Sequence, residues 1–185
     1  MSEVRIENAD AVNRFWFDEL KPEDWFTKSD ELDKDIANRF GATHLSLAGN
    51  IPQQWWDSAD SVLALVLVFD QFPRNIYRGT PLAFATDCLA LKEAKAAIAA
   101  GLDQLVDETR RAFFYMPFEH SEELSDQDRA VELFSRLGNE EMLRYAHMHR
   151  DVIVRYGRFP HRNAILGREN TAEETTYLAE PGAGF

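Results

Sequence analysis

Eight consecutive apolar residues, Val62 to Phe69, limit this chain more than any other feature. The run is apolar on every side, so periodicity alone does not separate a buried strand from a buried helix. Its context does. Asp57 or Ser58 offers a side-chain cap ahead of it, the segment continues to Phe72, and no partner strand is visible elsewhere. The reading is a helix, and a helix apolar all round belongs at the centre of a domain.

The remaining pattern is helical too. Asn8 to Leu20 reads as a first helix, with Phe15, Trp16 and Leu20 apolar and Pro22 after it. Ser29-Asp30-Glu31 opens a second, with Leu32, Ile36 and Phe40 spaced by four, which runs on or breaks near Gly41. Thr80-Pro81 has the cap-then-proline signature of a helix start, and Gly101 suits the stop after Ala100. Glu108 to Tyr115 reads as a shorter helix ended by Pro117. Ser121 or Ser125 begins the next, which Gly138 closes; Asn139 then caps a helix to Tyr156, stopped by Gly157. Thr171-Ala172-Glu173-Glu174 matches a capping box for a last short helix. The expectation is an all-α bundle of about eight antiparallel helices in a single domain over residues 1–185, with a loose tail at 181–185.

Composition narrows function. The net charge of −12 disfavours nucleic-acid and anionic-membrane partners. The run at Val62–Phe69 is too short to span a bilayer, and residues 1–5 carry no leader-like pattern. One cysteine, Cys88, excludes an internal disulfide and favours the cytoplasm. Cys88 reads as a small core residue, and Trp16, Trp25, Trp55 and Trp56 read as core rather than as a groove. The charge is uneven. From 144 to 168 the chain holds six arginines (144, 150, 155, 158, 162, 168) against one acid, Asp151, and overall 15 of its 20 basic residues are arginine. Arginine suits planar, multidentate contacts. Acids from elsewhere in the fold are the simplest partners for this island.

Two segments echo each other: Phe69-Asp70-Gln71-Phe72-Pro73-Arg74-Asn75-Ile76-Tyr77-Arg78-Gly79 and Gly157-Arg158-Phe159-Pro160-His161-Arg162-Asn163-Ala164-Ile165-Leu166-Gly167. Each places Phe-Pro, then Arg-Asn, at an expected helix stop. Free backbone groups and fixed guanidinium groups there can hold an anion, or they can brace the fold.

Together with Phe114-Tyr115-Met116-Pro117-Phe118-Glu119-His120-Ser121-Glu122, Trp16-Phe17 and Ala83-Phe84-Ala85-Thr86-Asp87, these motifs resemble the bacterial domain of unknown function family nine-two-four (DUF 924). The resemblance covers most of the chain. It implies an all-helical, tetratricopeptide-like fold and carries no activity, so function rests on the residues.

The candidate ligand-binding set is Arg74, Asn75, Arg78, Arg158, His161, Arg162 and Asn163, for an anionic small molecule or an acidic peptide. The alternative is a hydrolase or lyase acting on an anionic substrate, with Glu119 or His120 as acid or base. A third possibility is a protein-interaction scaffold. Ser121 reads as a helix cap, with Glu122 and Glu123 in the first turn. Glu119, His120, His147, His149 and His161 were weighed as metal ligands. His147 and His149 are two apart on a helix and face different sides, so no metal is expected. No cofactor motif appears among Gly-rich loops or nucleophile elbows. Oligomeric state and the existence of any catalytic step stay open.

Overall fold

The computed structural model describes residues 5–184; the leader reading at residues 1–4 lies outside them. Among the described residues there is no strand, and the helices are α1 (Ala9–Arg14), α2 (Pro22–Trp25), α3 (Asp30–Gly49), α4 (Ala59–Ile76), α5 (Asp87–Ala99), α6 (Glu108–Glu119), α7 (Leu124–Leu137), α8 (Glu140–Tyr156) and α9 (Ala172–Leu178). The all-α class expected from the sequence is the one observed. The chain divides into two compact units, one of residues up to 78 with 82–117, the other of residues 79–81 with those from 118 onward.

In the first unit α4 is the axis. Ser58 caps it: its hydroxyl accepts from the Ser61 N–H at 3.1 Å, and the Ser61 hydroxyl accepts from the Ser58 N–H at 3.0 Å. Leu63, Ala64, Leu65, Leu67, Val68, Phe69 and Phe72 are wholly buried. Helices α1, α3 and α5 pack around them. Each such side chain contributes about 1.5–3 kcal/mol by leaving water, so this one helix supplies much of the unit's stability.

The sequence placed the end of this helix at Phe72, and the structure corrects that. The helix passes through Pro73 to Ile76. A proline inside a helix has no N–H for the carbonyl four residues back, which here is Phe69. The Thr86 hydroxyl donates to that carbonyl at 2.8 Å instead. Helix α6 likewise runs past Pro117 to Glu119. The first expected helix is shorter than read: α1 ends at Arg14, and Phe15–Glu19 forms a wide π turn closed by the Leu20 N–H on the Phe15 carbonyl at 3.2 Å. The Trp16 carbonyl in that turn accepts the Trp25 indole N–H at 2.8 Å. Helix α3 continues through Gly41 to Gly49. Pro81–Phe84 is a separate 3-10 turn, and α5 begins only at Asp87. Cys88 is exposed rather than in the core, because it is the second residue of α5 and faces away from α4's side of that helix. Trp16 and Trp55 are buried, and Trp56 is more than a third exposed.

In the second unit α7 and α8 pack as a hairpin through Gly138, at φ +79°, and Asn139, whose side chain accepts from the Glu141 and Met142 N–H groups. Gly157, at φ +69°, ends α8. Pro160–Arg162 then makes a single 3-10 turn, and the capping box of Thr171 and Glu174 opens α9 as expected. The two echoing segments are therefore not equivalent: Pro73 lies inside a helix, whereas Pro160 opens a short turn after one. Among the described residues no helix is long and apolar enough to cross a membrane.

Candidate functional site

The seven candidate ligand residues divide between the two units. Arg74, Asn75 and Arg78 stand in the first, on the last turn of α4 and just beyond it. Arg74 Nη1 and Nη2 meet Asp87 at 2.9 and 3.1 Å, and Nη1 also meets Asp70 at 3.2 Å. Arg78 grips Asp33 of α3 with two bonds at 2.6 and 2.8 Å, and the Asn75 amide adds a third at 2.8 Å. Burial works to raise the Asp33 carboxyl, but the Arg78 and Asn75 bonds prevail and hold its pKa below the usual carboxylate range. These three side chains are satisfied by carboxylates of their own unit and tie α4 to α3 and α5.

Arg158, His161, Arg162 and Asn163 stand in the second unit, on the turn after α8. Arg158 binds Glu174 at 2.6 and 2.8 Å, and the Asn163 amide lies 2.8 Å from Asn170 and 3.4 Å from Glu174. The Arg158 bonds, with help from the Thr171 N–H and Asn163, bring the Glu174 carboxyl down to about 2. Arg168 binds Glu122 at 2.7 and 2.9 Å, and Glu122 also accepts the Phe159 N–H at 2.8 Å.

Phe159 is the hub. It is wholly buried, the Arg162 guanidinium lies 4.5 Å over its ring, and the rings of His149 and His161 stand 5.7 and 5.5 Å from it. The ring of His120 is 6.4 Å from that of His149. His161 is pushed down to about 4, first by burial and then by the positive groups Arg162 and His149, with Arg168 adding to them and Glu122 opposing. Residue 184 closes over it: a Cβ built on Gly184 falls 2.7 Å from His161 Cβ, and Gly184 sits at φ +90°.

Glu119 enters this cluster from the end of α6. The Gln127 amide, wholly buried, donates to the Glu119 carbonyl at 2.7 Å and the Ser121 carbonyl at 2.6 Å, which fixes the helix end. The Glu119 side chain is 6% exposed on the whole residue, and its Oε1 lies 3.1 Å from His149 Nδ1. That nitrogen is also 2.9 Å from the Tyr145 carbonyl, one turn back on α8, and its N–H is aligned there. Glu119 Oε1 is thus close to a cationic ring yet receives no aligned hydrogen bond among the described residues. Ser121 is more than a cap: it accepts the Glu123 N–H at 3.2 Å and donates to Asp126 at 2.9 Å. Among the described residues no group of three or more His, Cys, Asp and Glu side chains has the geometry of a metal site.

The model of a family described as "Bacterial protein of unknown function (DUF924)" matches residues 12–182. The chain belongs to that family. The solved structure of a protein of unknown function from Agrobacterium tumefaciens is similar to it at 44% identity and a TM-score of 0.89, over 94% of this chain and 97% of that one. Comparison with curated proteins finds no match.

Two site residues carried no signal in the sequence. His149 looked like one imidazole on a charged helix, and nothing local tied it to Glu119, 30 residues earlier. Glu122 read as a first-turn acid, whereas its partners Phe159 and Arg168 are 37 and 46 residues away.

Proposed function

We propose that this protein binds an anionic small molecule or acidic peptide, and that the turn of Arg158, Phe159, His161, Arg162 and Asn163 in the second unit is where it does so. One observation carries the reading: Arg162, His149 and Arg168 together set up enough positive field to help depress the His161 imidazole. Perturbed titrating groups gathered round one point are a common mark of functional sites. An anion placed there would relieve the field. Arg158 and Asn163 take the supporting part, holding the turn to Glu174. Arg74, Asn75 and Arg78 then act as braces of the first unit, given their Asp33, Asp70 and Asp87 partners. The setting we assign is cytoplasmic, with a tetratricopeptide-like arrangement of helix pairs and neither nucleic acid nor membrane as partner.

A second reading, acid or base catalysis on an anionic substrate, is favoured by the buried Glu119 carboxylate 3.1 Å from His149. Thermal denaturation tests the binding reading. Inorganic phosphate, dicarboxylates and acidic peptides are screened against the wild type, Arg162→Gln and Arg162→Lys. A ligand that binds only the folded state raises Tm. The reading expects a rise in the wild type, absent in a folded Arg162→Gln and partly kept in Arg162→Lys. No rise with any anion contradicts it.

A further inference from the structure

We propose that Glu119 and His149 form a proton-transfer pair in the second unit, with His149 Nε2 as the acid–base atom and Glu119 as the residue that positions it. The pair rests on the anion-binding reading only for its choice of substrate.

The argument starts from the imidazole. Its Nδ1 has two oxygen neighbours, the Tyr145 carbonyl at 2.9 Å and Glu119 Oε1 at 3.1 Å. A carbonyl and a carboxylate only accept, so Nδ1 carries the proton. The lone pair of the neutral ring is therefore on Nε2. This is the less usual assignment for a free imidazole, and two independent elements impose it: α8 through its own backbone and α6 through its last side chain.

The carboxylate supplies the second half. When Nε2 accepts a proton, the substrate's X–H bond breaks, its electron pair stays on X, and the ring becomes a cation. A buried carboxylate beside Nδ1 stabilises that cation without itself taking the proton. Glu119 is placed for this and for little else. A buried carboxylate oxygen with no aligned donor is costly, and proteins keep such groups mainly where they serve a function. The helix end that carries Glu119 is fixed by Gln127, which is wholly buried, so the carboxylate is held rather than loose.

The surroundings select the substrate. The charged and titrating groups around Phe159 are Arg162, Arg168, His161, His120 and Glu122. The substrate class is an anion that bears an ionisable X–H group, such as a hydroxy acid, with the anionic end toward Arg162 and the X–H toward Nε2. His147, two residues from His149 on the same helix, is exposed and serves as an internal reference.

The test uses the full chain with 15N-labelled histidine. Two-bond 1H–15N spectra on the alkaline side report which nitrogen carries the proton. His149 is expected in the Nδ1–H form and His147 in the Nε2–H form. An Nε2–H form at His149 overturns the pair, and this arm needs no variant. Diethylpyrocarbonate labelling, read residue by residue by mass spectrometry, is the second arm. His149 is expected to react severalfold faster in the wild type than in Glu119→Gln, with His147 unchanged in both. Equal His149 rates in the two proteins also overturn the pair. Inorganic phosphate should slow His149 labelling in the wild type. If phosphate has no effect while the tautomer and the Glu119→Gln difference hold, the anion reading fails and the pair stands.

Discussion

The Thr86 hydroxyl shows how much one atom can settle. It donates to the Phe69 carbonyl that Pro73 leaves free, and its lone pair faces His44 Nε2 at 3.2 Å. With the hydroxyl proton committed to Phe69, His44 Nε2 donates and Nδ1 accepts the Tyr77 O–H at 3.3 Å. Burial holds the His44 imidazole below its ordinary pKa, in keeping with a neutral ring. Thr86→Val should cost about 1–3 kcal/mol in urea unfolding, the usual cost of a stranded buried group. In a Pro73→Ala background the helix N–H returns to Phe69, and the same substitution should cost clearly less. An equal cost in both backgrounds contradicts the account. The titrating residues of the second unit set an acid limit. His161 has a folded pKa of about 4 against 6.5 unfolded, so the unfolded chain takes up this proton first. Its contribution is whole above pH 6.5 and lost as pH falls toward 4, on the order of 3 kcal/mol. Glu174, at about 2 against 4.5, contributes above pH 4.5 and loses that contribution as pH falls toward 2. Urea unfolding across this range should show both losses, and His161→Gln should remove the upper one alone.

At the scale of elements, the segment after α9 gives a direct test of packing. Gly184 has room for no side chain against His161 and a backbone conformation that L residues rarely adopt. Gly184→Ala should displace residues 182–184, hydrate His161 and move its pKa from about 4 toward 6.5, read by NMR titration. An unchanged titration contradicts the contact. Helix starts were legible because caps are local: Ser58, Asn139 and Thr171 each bond within three residues of themselves. Helix ends at proline were not. Pro73 looks like a stop until Thr86, 17 residues from the carbonyl it serves, is in place. The same distance effect hid the site. Arg162 and His161 stood out by composition, but the contacts that give them meaning come from α6 and α8, through Glu122, Glu119 and His149.

Over the whole molecule, the charge pattern resolves as partnership. The arginine island at 144–168 finds its acids within the second unit: Arg150 on Asp128, Arg155 on Glu173, Arg158 on Glu174 and Arg168 on Glu122. The first unit does the same with Arg74 between Asp70 and Asp87. Asp70 is 1% exposed, so Arg74→Ala should strand a buried charge and cost about 3–5 kcal/mol, a loss seen as a much lower Tm. A small change there would mean the network is not a brace. What remains distinctive is the set around Phe159, where Arg162, His149 and His161 meet Glu119. Titrating inorganic phosphate into histidine-labelled protein tests that set most directly. If the turn binds anions, His161 should rise above its value of about 4 as the bound charge offsets Arg162 and Arg168, and Arg162→Gln should abolish the response. Histidine spectra that stay unchanged at saturating phosphate would contradict the account.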